Sequence, residues 1–157
     1  MSVPTLKEHI RQELVGNTEM FLVDLAAMSE EALRSKPGGV ARSPFDFIYE
    51  VAFVNRRFTK RLRSEDPGPF PEPWMTAPEE FQTKEGAIAA VKESMEGLVA
   101  EWDKLSESDL SRKIPTPMGE TTPLELCVTA AKHVHYHDGQ LNYIQAMSGD
   151  AAMHWQE

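Results

Sequence analysis

Apolar residues recur at three- and four-residue steps in four stretches of the chain, each closed off by prolines or glycines, which is the pattern of four amphipathic helices. The first opens on Thr5-Leu6-Lys7-Glu8, a capping box in which the two end side chains satisfy each other's orphan amides. Ile10, Leu14, Phe21, Leu25 and Met28 then share a face, interrupted by Asn17, and predict a helix near 5–28. Ser29 to Arg42 contains Pro37-Gly38-Gly39 and reads as a long connection. Ser43-Pro44-Phe45-Asp46 starts the second helix with a cap, a proline at the first helical position and an acid at the third. Phe47, Val51, Val54, Phe58 and Leu62 give that helix its buried face and carry it over 44–63.

Pro67, Pro69, Pro71, Pro73 and Pro78 then force a crossover, whose Phe70 and Trp74 are expected to fold back over one end of the bundle. Ile88, Val91, Met95, Leu98, Trp102 and Leu105 define the third helix, 84–104. Pro115, Pro117 and Gly119 close the polar connection after it. Thr122-Pro123-Leu124-Glu125 repeats the earlier start signal and opens the fourth helix, 122–147, which stops before Gly149. The expectation is an all-α four-helix bundle forming a single domain over 1–157.

At 157 residues such a domain can bury a sufficient core without disulfide staples. The only cysteine, Cys127, cannot pair within the chain, which fits a reducing compartment. The N-terminal residues carry charge where a signal peptide needs an apolar core, and no run of about 18 apolar residues occurs, so the chain is expected to be cytoplasmic with no membrane partner. Acidic residues outnumber basic ones 25 to 16, giving a net charge of -9, which argues against a nucleic-acid partner. Arg56, Arg57, Lys60, Arg61 and Arg63 are a local exception. They read either as cations suited to a helix C-terminus or as a docking patch for an anion.

Candidate chemistry lies on the second and fourth helices. Leu126, Ala130, His133, His137, Leu141 and Ile144 fall along one side of the fourth helix, so both histidines face inward, while His135 sits about 200 degrees round from His133. A pair of imidazoles one turn apart can chelate one cation, or each can be a satisfied core residue. Glu50 flanks the buried face of the second helix, where an ionised carboxylate needs a cation: a metal, or an arginine at the bundle edge. Neither an HExxH motif nor the paired Glu-x-x-His motifs of a di-iron bundle occurs. His9 and Glu13 flank the first stripe and read as surface residues, Cys127 reads as a small core residue, and His154 has no evident partner.

Ser43-Pro-Phe-Asp46 with Asn55-Arg-Arg-Phe58, and His133-Val-His-Tyr-His137-Asp-Gly-Gln-Leu-Asn-Tyr143, make the chain resemble the DinB-like (DinB/YfiT) four-helix bundles, a family regarded as metalloenzymes. The resemblance implies a divalent metal held by one side chain of the second helix and two of the fourth, which fall here on Glu50, His133 and His137. The family usually has histidine where this chain has Glu50. Glutamate can complete a His2Glu set holding zinc, nickel or iron, the site can be metal-free, or Glu50 can act as an acid-base group beside it. Members of the family include thiol transferases that use low-molecular-weight thiols, so the resemblance implies a metal-bound thiol and an electrophilic small molecule. Tyr136, Asn55 and Gln140 are candidate polar groups of the pocket. The alternative function is a noncatalytic bundle, monomer or homodimer, that binds a small ligand or a partner protein and keeps its histidines for structure.

Overall fold

The computed structural model describes residues 3–72 and 75–156. Its long helices are α1 (Leu6–Ala27), α3 (Pro44–Leu62), α4 (Lys84–Lys104) and α5 (Pro123–Met147), and a single turn, α2 (Glu30–Arg34), stands between the first two. Helix α1 packs on α4 and α5, and α3 also packs on α4 and α5, so the four long helices form a ring in the order α1, α4, α3, α5. Among the described residues no helix is long and apolar enough to cross a membrane.

The ends are set by local chemistry. Thr5 and Glu8 form their capping box, Ser43 and Asp46 form a second, and Thr83 and Thr122 accept the amides of Gly86 and Glu125. Thr5, Met28 and Arg63, which the apolar pattern placed inside helices, are caps. Asn17, the break in the first stripe, donates to the Ala131 carbonyl at 3.2 Å and ties α1 to α5.

The structure departs from the sequence pattern in the connections. Ser29 is the N-cap of α2, which follows with Glu30 and Glu31 in its first turn and seats Leu33 wholly in the core. Between α4 and α5 the chain forms a small antiparallel hairpin, Ile114–Thr116 with Gly119–Thr121. Gly119 takes a φ of 117°, a backbone that side-chain-bearing residues rarely adopt.

The buried face of α3 is wider than the expected line. Phe47, Val51 and Leu62 are buried as expected and Ile48, Ala52, Asn55 and Thr59 are buried beside them, while Val54 and Phe58 are only half-buried, because α3 must cover two neighbours rather than one.

The proline-rich crossover runs back along α3. The buried Arg57 guanidinium donates to the carbonyls of Pro67 and Pro69 and lies 4.0 Å from the centre of the Phe70 ring. At the other end of the helix, Asp46 accepts the Ala77 amide at 2.9 Å. Phe70 therefore folds onto the bundle, and Trp74 lies outside the described residues. Ser43 caps α3 and donates to the same Asp46 carboxylate at 2.8 Å, so it supports the helix start and the crossover together. Ser43→Ala should cost about 1 kcal/mol in urea denaturation, the usual value of an N-cap, and an unchanged midpoint would show that the cap adds nothing here.

Candidate metal centre

Glu50 on α3 and His133 and His137 on α5 meet at the seam between the two helices, each offering one donor atom within 4.8 Å of the others. The closest approaches are 3.0 Å between the two histidine Nε2 atoms, 3.4 Å from His133 Nε2 to Glu50 Oε1 and 3.9 Å from His137 Nε2 to Glu50 Oε2. Bonds of about 2.0–2.1 Å at tetrahedral angles would put donors about 3.3 Å apart, so the three already stand near coordination spacing. Among the described residues this is the only cluster of three or more His, Cys, Asp or Glu side chains with metal-site spacing.

The surroundings prepare His137 and Glu50 as acceptors. His137 is 1% exposed, lies flat against the Phe47 ring at 5.3 Å and has the Tyr136 ring edge-on at 5.0 Å. Its Nδ1 lies 2.8 Å from Gln140 Oε1, an acceptor, so Nδ1 carries the proton and the Nε2 lone pair points at His133 and Glu50. Gln140 is itself held by donating to the Tyr136 hydroxyl at 3.1 Å. Burial and the neighbouring His133 push His137 down to about 4, so its imidazole is neutral near pH 7.

Burial opposes the charge on Glu50, but close contacts with His133 and Arg42 and the charge of Arg42 outweigh it and hold the carboxyl at about 2. Arg42, from the loop before α3, places Nη1 2.5 Å from Glu50 Oε2. Neither of these two atoms, nor His133 Nδ1, makes a hydrogen bond of good geometry. The His137 Nε2 lone pair and the ionised Glu50 carboxylate therefore both face His133 Nε2, which donates toward them. A divalent cation at this point would take the place of the proton that His133 Nε2 holds between them, and a set of two imidazoles and one carboxylate fits such an ion. Of the two cations that the sequence allowed for Glu50, the edge arginine is in place as Arg42.

Of the other residues singled out in the sequence, Tyr136 and Gln140 line the cleft next to His137. Asn55 does not. It is wholly buried on the α3–α4 seam with its amide 3.4 Å from Ser94 Oγ, so it is a satisfied core group. His9, Glu13 and His135 are exposed, Cys127 is buried with its thiol pushed up to about 12 by that burial, and His154 pairs with Asp150 at 2.9 Å. The helix-end cations are largely engaged: Arg57 holds the crossover, Arg61 donates to the Pro115 carbonyl, and Arg56 and Arg63 pair with Glu93 and Glu101.

Sequence reasoning missed two features. Arg42 is one; the other is a buried carboxylate pair, Asp24 on α1 and Asp138 on α5, with Asn142 donating to Asp24 at 2.8 Å. Each of the two acids keeps one buried oxygen without a hydrogen-bond partner. Burial and the Asp24 carboxylate push Asp138 up to about 7, so Asp138 keeps its proton up to near neutrality. A signal for Asp24 was available, since it sits three residues after Phe21 and beside Leu25 on the inward face.

A model of the DinB superfamily matches residues 13–141, a span that contains Glu50, His133 and His137. Among solved structures, a conserved protein from Enterococcus faecalis superposes with a TM-score of 0.75 at 19% identity, covering 94% of this chain and 100% of that one. A DinB-like protein from Bacillus subtilis gives 0.72 at 19% identity over 92% and 94% of the two chains. The colibactin self-resistance protein ClbS, solved in complex with double-stranded DNA, gives 0.67 at 15% identity over 92% and 98%. That complex does not fit the expectation of no nucleic-acid partner; at this identity the likeness carries the fold and not the ligand. No curated protein matches the sequence.

Proposed function

The chain belongs to the DinB superfamily, and from that premise we propose that it is a metal-dependent cytoplasmic enzyme which joins a low-molecular-weight thiol to an electrophilic small molecule. The observation that carries this reading is the convergence of Glu50, His133 and His137 with their potential ligating atoms 3.0–3.9 Å apart. A divalent cation bound there would lower the pKa of a coordinated thiol and make a thiolate available near neutral pH.

The protein's own groups have separable tasks. His133, His137 and Glu50 would hold the ion, and Glu50 would add the negative charge that a third histidine lacks. A carboxyl held at about 2 is a poor proton acceptor near neutral pH, which favours a ligand role for Glu50 over an acid-base role. Gln140 fixes the tautomer of His137 and Tyr136 fixes Gln140, an outer layer of the kind that sets ligand orientation. Phe47 and the Tyr136 ring shield His137 from water.

Glu50→Ala should weaken zinc affinity about as much as His133→Ala does, and Glu50→His should restore it by rebuilding a three-histidine set. Calorimetric titration with zinc checks both. If Glu50→Gln instead binds zinc like the parent while slowing thiol transfer, the carboxylate is a proton carrier rather than a ligand.

The function itself is tested by incubating zinc-, nickel- or iron-loaded protein with several cellular thiols and a reactive electrophile while thiol loss is followed. The reading expects a metal-dependent rate that disappears in His133→Ala. No rate above background with any thiol, on protein that binds metal, would favour the noncatalytic binding module.

A further inference from the structure

The cleft beside the centre has a chemistry of its own. About 870 Å³ in volume, it falls within the usual range of small-molecule sites. Arg42 is the one charged side chain among its described lining residues. Around Arg42 the wall is apolar and aromatic, and Val40, Tyr136, Tyr143 and Met147 each remain more than half exposed there. Large apolar side chains left together at the mouth of a cleft mark a surface that something covers. None of the three candidate ligands lines the cleft. Its inner wall is instead made of the groups that touch them: Phe47 and Tyr136 against His137, Gln140 on His137 Nδ1, and Arg42 on Glu50.

Arg42 belongs to both places. Its side chain is 33% exposed, and Glu50, approached through Nη1, is its only ion-pair partner among the described residues. A guanidinium carries five N–H donors, so most of its capacity to hold an anion is uncommitted. Resting on the reading of Glu50, His133 and His137 as a metal site, we propose that the cleft binds an organic anion with an apolar body. Its acidic group takes Arg42, its body lies against Tyr136, Tyr143 and Met147, and it binds cooperatively with the metal.

The cooperativity follows from charge. Without ligands, Glu50 and Arg42 cancel. A divalent cation alone leaves the half-buried site with two uncompensated positive charges, and an anion alone leaves one uncompensated negative charge. Together they leave a single positive charge, and each carboxylate faces a cation: Glu50 the metal, the ligand Arg42. Each ligand therefore removes a charge the other leaves, and by linkage each must tighten the other by the same factor. The acidic group can belong to the thiol or to the electrophile, and a thiol-bearing probe separates the two sources.

The test is calorimetric binding of phenylpropionate, of the matching alcohol and amine, and of a mercapto-phenylpropionate, each with and without saturating zinc. Phenylpropionate should bind about tenfold or more tighter than the alcohol, the amine should not bind, and zinc should tighten the acid about fivefold or more, with the same factor seen for zinc when the acid is present. A further gain for the thiol-bearing acid, confined to zinc-loaded protein, assigns the acidic group to the thiol substrate; equal affinity of the two acids assigns it to the electrophile. Arg42→Gln should lose the preference for the acid and the coupling to zinc, yet bind zinc alone more tightly because a competing cation is gone. Opposite signs for two ligands cannot come from unfolding. Tyr143→Ala, at a position 70% exposed, should weaken acid and alcohol alike and leave zinc affinity unchanged.

Equal binding of acid and alcohol to the parent protein, or coupling that survives in Arg42→Gln, would overturn the proposal. So would a change of oligomeric state in Tyr143→Ala, which would give the apolar mouth to a second copy of the chain. If zinc does not bind but the acid preference holds, the metal reading fails and the anion cleft stands; if zinc binds and no acid preference appears, the cleft proposal fails alone.

Discussion

His137→Ala should abolish metal binding and lower stability by about 2–4 kcal/mol, the largest loss from any single change at the centre. Both effects come from one position because the imidazole is simultaneously a donor to the shared point and a packed core group. It is 1% exposed, stacked on Phe47, and bonded through Nδ1 to Gln140. Removing it opens a cavity against a ring and leaves the Gln140 oxygen without its donor, so the cost combines lost packing with an unmet polar group. His133 is the control. Its side chain is 18% exposed and its Nδ1 has no hydrogen-bond partner, so His133→Ala should remove metal binding equally while costing only about 1 kcal/mol. Zinc titration and urea denaturation in chelator read the two quantities separately. Zinc affinity in His137→Ala within tenfold of the parent would show that this imidazole is structural.

Asp138→Asn should make the metal-free protein more stable, by an amount that grows as the pH rises. Asp138 is pushed up to about 7 by burial and by Asp24, against an ordinary value of 3.8. A group raised in the folded state contributes stability that is fully present below about pH 4 and is lost as the pH climbs through 7. Asparagine keeps the shape and a donor toward Asp24 without that loss. The advantage of the variant over the parent should therefore widen by on the order of 2–4 kcal/mol between pH 4 and pH 8, as read in denaturant titrations. Glu50 and His137 act with the opposite sign. Both are lowered by folding, Glu50 to about 2 and His137 to about 4, so their contributions are lost as the pH falls, through 6.5 toward 4 for the histidine and below 4.5 for the glutamate. They are common to both proteins and cancel in the comparison. A difference that stays flat across this range would mean that Asp138 ionises as an ordinary surface carboxylate does.

The long helices were legible because their signals are local. Thr5 with Glu8, Ser43 with Asp46, and Thr122 ahead of Pro123 specify helix starts within four residues, and the apolar period does the rest. Helix α2 was missed because one turn is too short to show a period, and the Ile114–Thr121 hairpin because Pro115 and Pro117 read as breakers rather than as parts of a two-strand loop. The expected face of α3 held at Phe47, Val51 and Leu62 but not at Val54 and Phe58, because packing against both α4 and α5 widens it toward Ile48, Ala52 and Asn55.

At the site, the inward positions of His133, His137 and Glu50 follow from helical spacing alone. Their distances do not, since these depend on how α3 lies against α5. Arg42 was beyond reach for the same reason: it stands outside any helix, and only the path of the loop between Arg34 and Ser43 brings it to Glu50. Asp24 and Asp138 are a different kind of miss, because each was in view on its helix face and only the pairing of α1 with α5 makes them one buried unit.

The central claim is that Glu50, His133 and His137 bind one divalent cation. The most direct measurement is the metal content, by plasma mass spectrometry, of protein purified without a histidine tag and then dialysed after exposure to zinc, beside the His133→Ala/His137→Ala double variant treated identically. The account predicts about one zinc per chain in the parent and none in the variant. A parent holding no more zinc than the double variant would contradict it.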